Sequence, residues 1–200
     1  MLKEWIGVNP TAIKLSNKSF DLDAATKIAE YFNNVTSNIE IADISDIIAG
    51  RAEELALQVL RVISNSLARF ELTEVNVSDN AMGAKGVTAC QEILKGKKIQ
   101  KLYVCNDGLS AEASELLADI LLNDVPAPLL LFHFYNNMGG NGSGVAVSRI
   151  ITACQQLEDL RYSATRCMAE GCMAIATSIG SIHHLKRIDL SDNNFGARAL

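Results

Sequence analysis

The 200-residue sequence has little proline and no long apolar run, and each shortage excludes a class of protein. With three prolines and no Ser/Gly-rich stretch, no linker divides the chain, so we expect one domain over residues 1–200. No stretch approaches the ~20 apolar residues of a membrane span, and the start, MLKEWIGVNP, lacks the apolar segment of a signal peptide. The five cysteines form no Cys-x-x-Cys pair, which favours a reducing compartment. The sequence therefore predicts a soluble, intracellular protein.

The charge balance argues against nucleic acid as a partner. The chain carries 18 Lys+Arg and 23 Asp+Glu, a net charge of −5, and no basic run. Residues 1–128 hold 12 basic and 18 acidic side chains, whereas residues 129–200 hold 6 and 5. An acidic first part would steer a basic protein partner towards it, although acidity also serves solubility alone.

What the sequence does contain is a repeat. The pattern L-x-x-L-x-L-x-x-N-x-L begins at residues 72, 99, 129, 157 and 185, and two degenerate copies occupy 10–20 and 39–49. This is the pattern and spacing of a long leucine-rich repeat. One such repeat cannot bury its apolar face alone, so the copies must stack. We expect an α/β leucine-rich repeat horseshoe of about six to seven repeats, with parallel strands on the concave face and helices on the convex face.

Each repeat has two halves with different periods. The L-x-L part alternates apolar and polar residues, as a short strand with one buried face does. The part that follows, such as AKGVTACQEILKG, places apolar residues three and four apart, which predicts a helix. The stretch after Arg51, AEELALQVLRVISNSLA, predicts a longer helix.

The two ends of the repeat array differ. At the start, Trp5 and Ile6 could cover the first repeat as a modest cap. The last copy stops at Leu200, where its helix should begin. Because a solenoid needs a terminal cap over its last apolar face, the sequence predicts a solenoid that is incomplete at its C-terminal end.

No arrangement of side chains predicts chemistry by this chain itself. Ser/His/Asp and Cys/His constellations with plausible spacing are lacking, as is a Gly-rich phosphate loop, and the three histidines are not placed for a metal. We therefore expect no cofactor and no metal. The polar strand residues between core positions would face the concave side and could bind a partner; the candidates are Tyr103, His133, Tyr135 and Arg161.

The loops after the strands contain two kinds of polar residue. The consensus asparagine of the repeat is structural, because its amide bonds backbone groups of the turn. The residues in that register are Asn80, Asp107, Asn137, Thr165 and Asn193. Asn106 and Asn136 lie one residue out of register, so their amides are predicted to be free at the rim of the concave face, as binding groups or simply as solvated loop residues.

Three segments resemble one family. DISDIIAGRAEE (43–54), LTEVNVSDNAMGAKGV (72–87) and LYVCNDGLSAEA (102–113) are similar to the Ran GTPase-activating proteins. The later stretches FHFYNNMGG, LEDLRYSATR and LKRIDLSDNNFG fit the plant-type branch. The resemblance implies activation of GTP hydrolysis on the GTP-bound small GTPase Ran, in nucleocytoplasmic transport. It also implies a cytoplasmic protein with an association at the nuclear envelope.

The resemblance also assigns residues. It implies that the family's important arginine is Arg51 and that its active-site asparagine is Asn106. Further candidate partner contacts lie on the same rim; they are Asp79, Asn80 and Asp107, together with Asn136 from its register.

The family is understood to work without an arginine finger, by ordering the GTPase's own catalytic glutamine. Arg51 would then be a scaffold or binding residue, paired with Asp46 or Glu53. One alternative is a non-catalytic scaffold of the ribonuclease-inhibitor-like class that binds through the concave strands. Another is a truncated or degenerate member of the family that binds Ran without accelerating hydrolysis.

Overall fold

A computed structural model describes residues 9–123 and 125–196, in which a short strand and a helix alternate. The strands are β1 Ala12–Lys14, β2 Ile41–Asp43, β3 Glu74–Asn76, β4 Lys101–Tyr103, β5 Leu131–His133, β6 Asp159–Arg161 and β7 Arg187–Asp189. The helices are α1 Leu22–Asn34, α2 Glu53–Leu67, α3 Gly83–Ala89, α4 Ala111–Leu122, α5 Gly140–Ala153 and α6 Ala169–Ile179. The predicted cap at Trp5 and Ile6 and the chain end at Leu200 lie outside the described residues.

The seven strands form one parallel sheet in chain order. Every neighbouring pair keeps the same register, so the first, middle and last residues of all strands align across the sheet. Consecutive helices pack against each other on one side of this sheet. The predicted α/β repeat is therefore confirmed, with both degenerate copies near the start included.

The core lies between the sheet and the helices. It is built from the middle residue of each strand and the residue two positions later, such as Phe132 and Phe134, which are fully buried. The ring of Phe134 stacks on Tyr162 of the next repeat at 6.0 Å between centroids. Ile188 is the exception at 49% exposed, because no helix follows β7 among the described residues to cover it.

The helices follow the predicted apolar periodicity, with one difference. The long helix expected after Arg51 is α2, whose 15 residues bury one apolar face. The single helix expected over AKGVTACQEILKG is wrong: α3 ends at Ala89, and Gln91–Ile93 forms a separate 3₁₀ turn. Periodicity did not distinguish the two because the apolar spacing continues across the break at Cys90.

Two glycines let α5 and α6 approach closely. A Cβ atom on Gly144 would lie 2.6 Å from the Cα of Gly171, and one on Gly171 would lie 2.6 Å from the Sγ of Cys167. Real Cβ contacts are longer than this, so neither position has room for a side chain without a shift of the backbone. These glycines therefore set the distance between the last two described helices.

The hydrogen-bond ladder of the sheet continues beyond the strands into the loops. The N–H of Val104 donates to the carbonyl of His133 at 2.9 Å, and the N–H of Asn106 donates to that of Tyr135 at 2.9 Å. The other repeats form equivalent bonds. The loops at this edge of the sheet are therefore held in register with one another, which matters for the side chains they carry.

Among the described residues, no helix combines the length and the apolar character that crossing a bilayer would require.

Candidate functional site

Each strand is followed by the same left-handed turn. At the third residue after each strand, φ lies between 50° and 63°. The residues at this position are Asn17, Asp46, Asp79, Asn106, Asn136, Ala164 and Asp192. Asparagine and aspartate tolerate this backbone region better than other non-glycine residues. Six of these seven are therefore explained by the turn itself, before any binding role is considered.

After the turns that follow β3, β5 and β7, the next residue is an asparagine whose side chain ties its repeat to the preceding one. The Oδ1 atom of Asn80 accepts the backbone N–H of Ile47 at 3.0 Å. Its Nδ2 atom donates to the carbonyl of Ile44 at 3.0 Å and to that of Val77 at 2.8 Å. Asn80 is 5% exposed, so these bonds satisfy backbone groups that water does not reach.

Asn137 repeats this arrangement further along the chain. Its Oδ1 atom accepts the N–H groups of Asp107 and Leu109, both at 3.1 Å, and its Nδ2 atom donates to the carbonyl of Val104 at 2.9 Å. Asn193 bonds the preceding repeat in the same way. We call this register the asparagine ladder; its members are Asn80, Asp107, Asn137, Thr165 and Asn193. The predicted structural role of the consensus asparagine is confirmed.

Three exposed side chains form a second, outer series, which we call the rim row: Asp79, Asn106 and Asn136. The Nδ2 atom of Asn106 donates to Oδ1 of Asp79 at 2.9 Å, and the Nδ2 atom of Asn136 donates to Oδ1 of Asn106 at 2.8 Å. The two asparagine amides take no part in the asparagine ladder and lie exposed at the rim, as predicted, but they bond each other and Asp79. An amide has two N–H groups and two lone pairs, so Asn106 retains one of each for a partner.

The rim row is short and rigid. Neighbouring parallel strands lie about 4.8 Å apart, so the row spans roughly 10 Å from Asp79 to Asn136. The sheet ladder fixes the backbone of all three residues: their N–H groups donate to Cys105, Tyr135 and Ser163 of the next repeat. The row thus presents one carboxylate and two neutral amides in fixed positions. Such groups can orient a partner by hydrogen bonding, whereas an amide cannot serve as a general acid or base.

Arg51 lies apart from the rim row, in the loop after β2. Arg51 is exposed and follows Gly50, whose φ of 71° lies in the left-handed region that favours glycine. Its Nη2 atom donates to the carbonyl of Ser19 in the preceding repeat at 3.1 Å. The prediction that Arg51 pairs with Asp46 or Glu53 is wrong for the described residues, because its guanidinium hydrogen-bonds a backbone carbonyl instead.

The acid nearest to Arg51 in sequence has a partner of its own. Glu53 pairs with Lys85 of the following repeat, and both side chains are about 70% exposed. A groove of about 530 Å³ runs between the loops after β2 and β3 and is lined by Arg51, Glu53 and Lys85, together with Asn80 and Met82. Arg51 therefore lies beside a surface that a partner side chain could enter.

Two of the predicted contact residues are buried. Asn80 is 5% exposed and Asp107 is 0% exposed, because both belong to the asparagine ladder. Buried side chains cannot touch a partner directly, so the prediction that Asn80 and Asp107 are partner contacts is corrected. Asp79, Asn106 and Asn136 are exposed and remain available.

The polar residues on the open face of the sheet, which we call the strand face, largely neutralise one another. The Nε atom of Arg161 lies 2.8 Å from Asp189, and its guanidinium lies 3.8 Å from the ring centroid of Tyr135. The Nε2 atom of His133 lies 3.1 Å from Asp159. Together with Tyr103, which meets His133 edge-on, these are the residues on which a scaffold function would depend.

No described residues provide a site for metal chemistry: nowhere in 9–123 and 125–196 do three or more His, Cys, Asp or Glu side chains gather so as to hold an ion. All five cysteines are buried and reduced. Burial raises the pKa of the Cys90 thiol to about 12, so this group behaves as an apolar core side chain.

Sequence reasoning missed the rim row as a hydrogen-bonded unit. The signal was present: Asn or Asp occupies the residue before the ladder position in six of the seven copies. That recurrence predicts a turn with positive φ, and stacked turns bring such side chains within bonding distance.

No protein-family model matches the chain. Curated relatives do. RAN GTPase-activating protein 1 of Arabidopsis thaliana is 37% identical over 95 residues, which cover 47% of this chain and 18% of that protein. RAN GTPase-activating protein 2 of the same plant is 38% identical over 94 residues, covering 46% and 17%. Ran GTPase-activating protein 1 of Xenopus laevis is 27% identical over 172 residues, covering 80% and 29%.

The chain thus spans less than a third of the length of each of these relatives. Among solved structures, the tropomodulin C-terminal domain of Caenorhabditis elegans aligns over 90% of this chain and 87% of its own, with a TM-score of 0.45 and 8% identity. The resemblance predicted from the sequence segments is confirmed: this is a leucine-rich-repeat-like α/β chain whose sequence is similar to the Ran GTPase-activating proteins.

Proposed function

We propose that this chain stimulates GTP hydrolysis by the small GTPase Ran in its GTP-bound form, and that the rim row is the part that acts on the GTPase. The named relatives support the activity. The observation that carries the proposal is Asn106: an exposed amide on a rigid rim, hydrogen-bonded on both sides and with one N–H and one lone pair left over.

The rim row suits activation by positioning. In small GTPases, a catalytic glutamine of the GTPase orients the attacking water, and catalysis consists mainly of positioning and charge stabilisation. A neutral amide held within hydrogen-bond reach can fix such a glutamine or its water without competing for a proton. The proposed activator supplies no nucleophile, metal or cofactor; Mg²⁺ and GTP come with the GTPase.

Arg51 takes a binding role in this proposal. Its guanidinium turns to the carbonyl of Ser19, in the repeat before its own and away from Asn106, which lies two repeats further on. A finger that reaches transition-state charge would have to leave this bond. We infer that Arg51 holds its loop in place and contacts the GTPase beside the groove that it lines. We further propose that the protein acts in the cytoplasm and at the nuclear envelope, as expected from its resemblance to the plant-type family members.

The test is hydrolysis of GTP by Ran with a substoichiometric amount of the chain, compared with Ras as an unrelated small GTPase. We expect multiple turnovers and an acceleration of about 10³-fold or more for Ran, with no acceleration for Ras. Lack of acceleration by a folded chain over a wide concentration range would refute the proposed function.

The same assay tests the role of Arg51. Arg51→Ala is expected to raise KM roughly tenfold, the equivalent of about 1.4 kcal/mol, while kcat stays within about twofold. Arg51→Lys, which keeps the charge but not the planar guanidinium, should recover part of the affinity. A fall in kcat of about 10³-fold in Arg51→Ala, with KM unchanged, would instead identify an arginine finger.

A further inference from the structure

The asparagine ladder contains one carboxyl group. Asp107 stands where Asn80 and Asn137 stand in the repeats on either side, and it is completely buried. Its Oδ1 atom accepts the backbone N–H of Asn80 at 3.0 Å, as an asparagine oxygen in this register does. Its Oδ2 atom has no hydrogen-bond partner among the described residues. A buried carboxyl oxygen without a partner is costly, so its chemical state needs an explanation.

The neighbouring ladder residues indicate which backbone group this oxygen would face. The Nδ2 atom of Asn80 donates to the carbonyl of Ile44, and that of Asn137 donates to the carbonyl of Val104. By the same register, the acceptor for Asp107 would be the carbonyl of Val77 in the preceding repeat, which already accepts an N–H of Asn80 at 2.8 Å and keeps one lone pair. An amide N–H can bond a carbonyl there, but an ionised carboxylate oxygen cannot, since both atoms carry only lone pairs.

The charges around Asp107 also oppose ionisation. Burial is the main reason that the pKa of this carboxyl is raised well above its ordinary value; the N–H of Asn80 lowers it, and the charge of Asp79 raises it further. Among the described residues, the thiols of Cys90 and Cys105 also interact with its charge. No cation pairs with Asp107 in the part of the chain that the structure describes.

We propose that Asp107 is a protonated positioning residue, whose carboxylic O–H donates to the carbonyl of Val77 and so fixes the turn that carries Asn106. Loss of that proton leaves a buried charge facing a carbonyl oxygen, and the turn loosens. The neighbouring residue, Asn106, then loses its fixed geometry in the rim row. The link to activity rests on the proposed function, whereas the link to stability does not.

The direction of the pH effect follows from proton linkage. In the unfolded chain, an aspartate titrates near pH 3.9, and in the folded chain Asp107 holds its proton to a higher pH. Between these two pKa values the folded state binds more protons than the unfolded state, so stability falls as pH rises. The stability contributed by the protonated group is complete below about pH 3.9. It is lost as pH rises through the pKa of the folded form.

The experiment compares thermal unfolding of the wild-type chain and Asp107→Asn between pH 4 and pH 8.5. The asparagine supplies the missing N–H and cannot ionise. We expect Asp107→Asn to exceed the wild type in Tm by about 5 °C at pH 8, with the difference shrinking towards pH 4. Asn80→Asp, which places a second carboxyl in the ladder one repeat earlier, should add a pH-dependent loss of the same sign. Exposed Asp23→Asn, which breaks no ion pair among the described residues, is the control and should run parallel to the wild type.

A second readout follows the turn itself. Amide exchange at Asn80 and Asn106, corrected for the intrinsic pH dependence, should rise with pH in the wild type and stay flat in Asp107→Asn. Parallel Tm curves for wild type and Asp107→Asn over the whole pH range would overturn the proposal. In the hydrolysis assay with Ran, the ratio of Asp107→Asn activity to wild-type activity should rise with pH. Diverging Tm curves with no stimulation by either protein would reject the proposed function while retaining the protonated Asp107.

Discussion

Asn106→Gly is expected to lower the stimulation of Ran GTP hydrolysis by about 10² to 10³-fold while the protein stays folded. Glycine accepts the φ of 56° at this position without strain, so the substitution removes the side chain and leaves the turn. What is lost is the amide that would orient the GTPase's machinery. Single-turnover kinetics at saturating activator measure the rate constant of hydrolysis within the complex. We expect the loss in this rate constant rather than in the affinity of the complex.

The chain offers a matched control for this substitution. Asn17 has the same left-handed backbone, with a φ of 59°, and is exposed in the first repeat, away from the rim row. Asn17→Gly should keep full stimulation. Equal losses from Asn17→Gly and Asn106→Gly would mean that the turns matter only as scaffold, and full activity of Asn106→Gly would remove the residue from the mechanism. Both variants should unfold within about 1 kcal/mol of the wild type, since exposed hydrogen bonds contribute little.

Asn137→Ala is expected to lower the free energy of unfolding by about 3 to 9 kcal/mol. The substitution leaves the N–H groups of Asp107 and Leu109 and the carbonyl of Val104 buried without partners, at about 1 to 3 kcal/mol each. A loss of that size is a large share of the 5 to 15 kcal/mol that typical domains have. Urea denaturation followed by circular dichroism measures it.

The adjacent residue provides the comparison. Asn136→Gly removes only an exposed side chain at a left-handed position and should cost less than about 1 kcal/mol. The two neighbouring asparagines are thus predicted to differ in role: Asn137 is required for stability, whereas Asn136 contributes to the rim row. Equal destabilisation by the two substitutions would contradict the distinction between the ladder and the rim row.

The repeat, its strands and most of its helices are predictable from the sequence because burial imposes the spacing of apolar residues. Val75 and Val77 alternate into the core, and the apolar face of α2 recurs at helical intervals. The break after α3 is not predictable in this way, since apolar residues continue at helical spacing on both sides of Cys90.

The geometry of the candidate site is harder to predict from the sequence than the fold is. The register of Asn106 and Asn136 marks them as exceptional, but whether their amides are free depends on side chains about 30 residues away in the chain. The partner of Arg51 is a backbone carbonyl, which no residue pattern encodes. The burial of Asp107 follows from its ladder register, yet its missing donor appears only when the neighbouring carbonyls are placed.

In the proposed complex the rim row, and not the strand face, contacts the GTPase at its nucleotide. Hydrogen–deuterium exchange of the chain, alone and bound to Ran carrying GDP and aluminium fluoride, tests this most directly. We predict protection of the loops that contain Asp79, Asn106 and Asn136, with the strand-face residues Tyr103 and Arg161 unchanged. Protection confined to the strand face, with the rim loops unchanged, would contradict the account and favour a scaffold that binds through its strands.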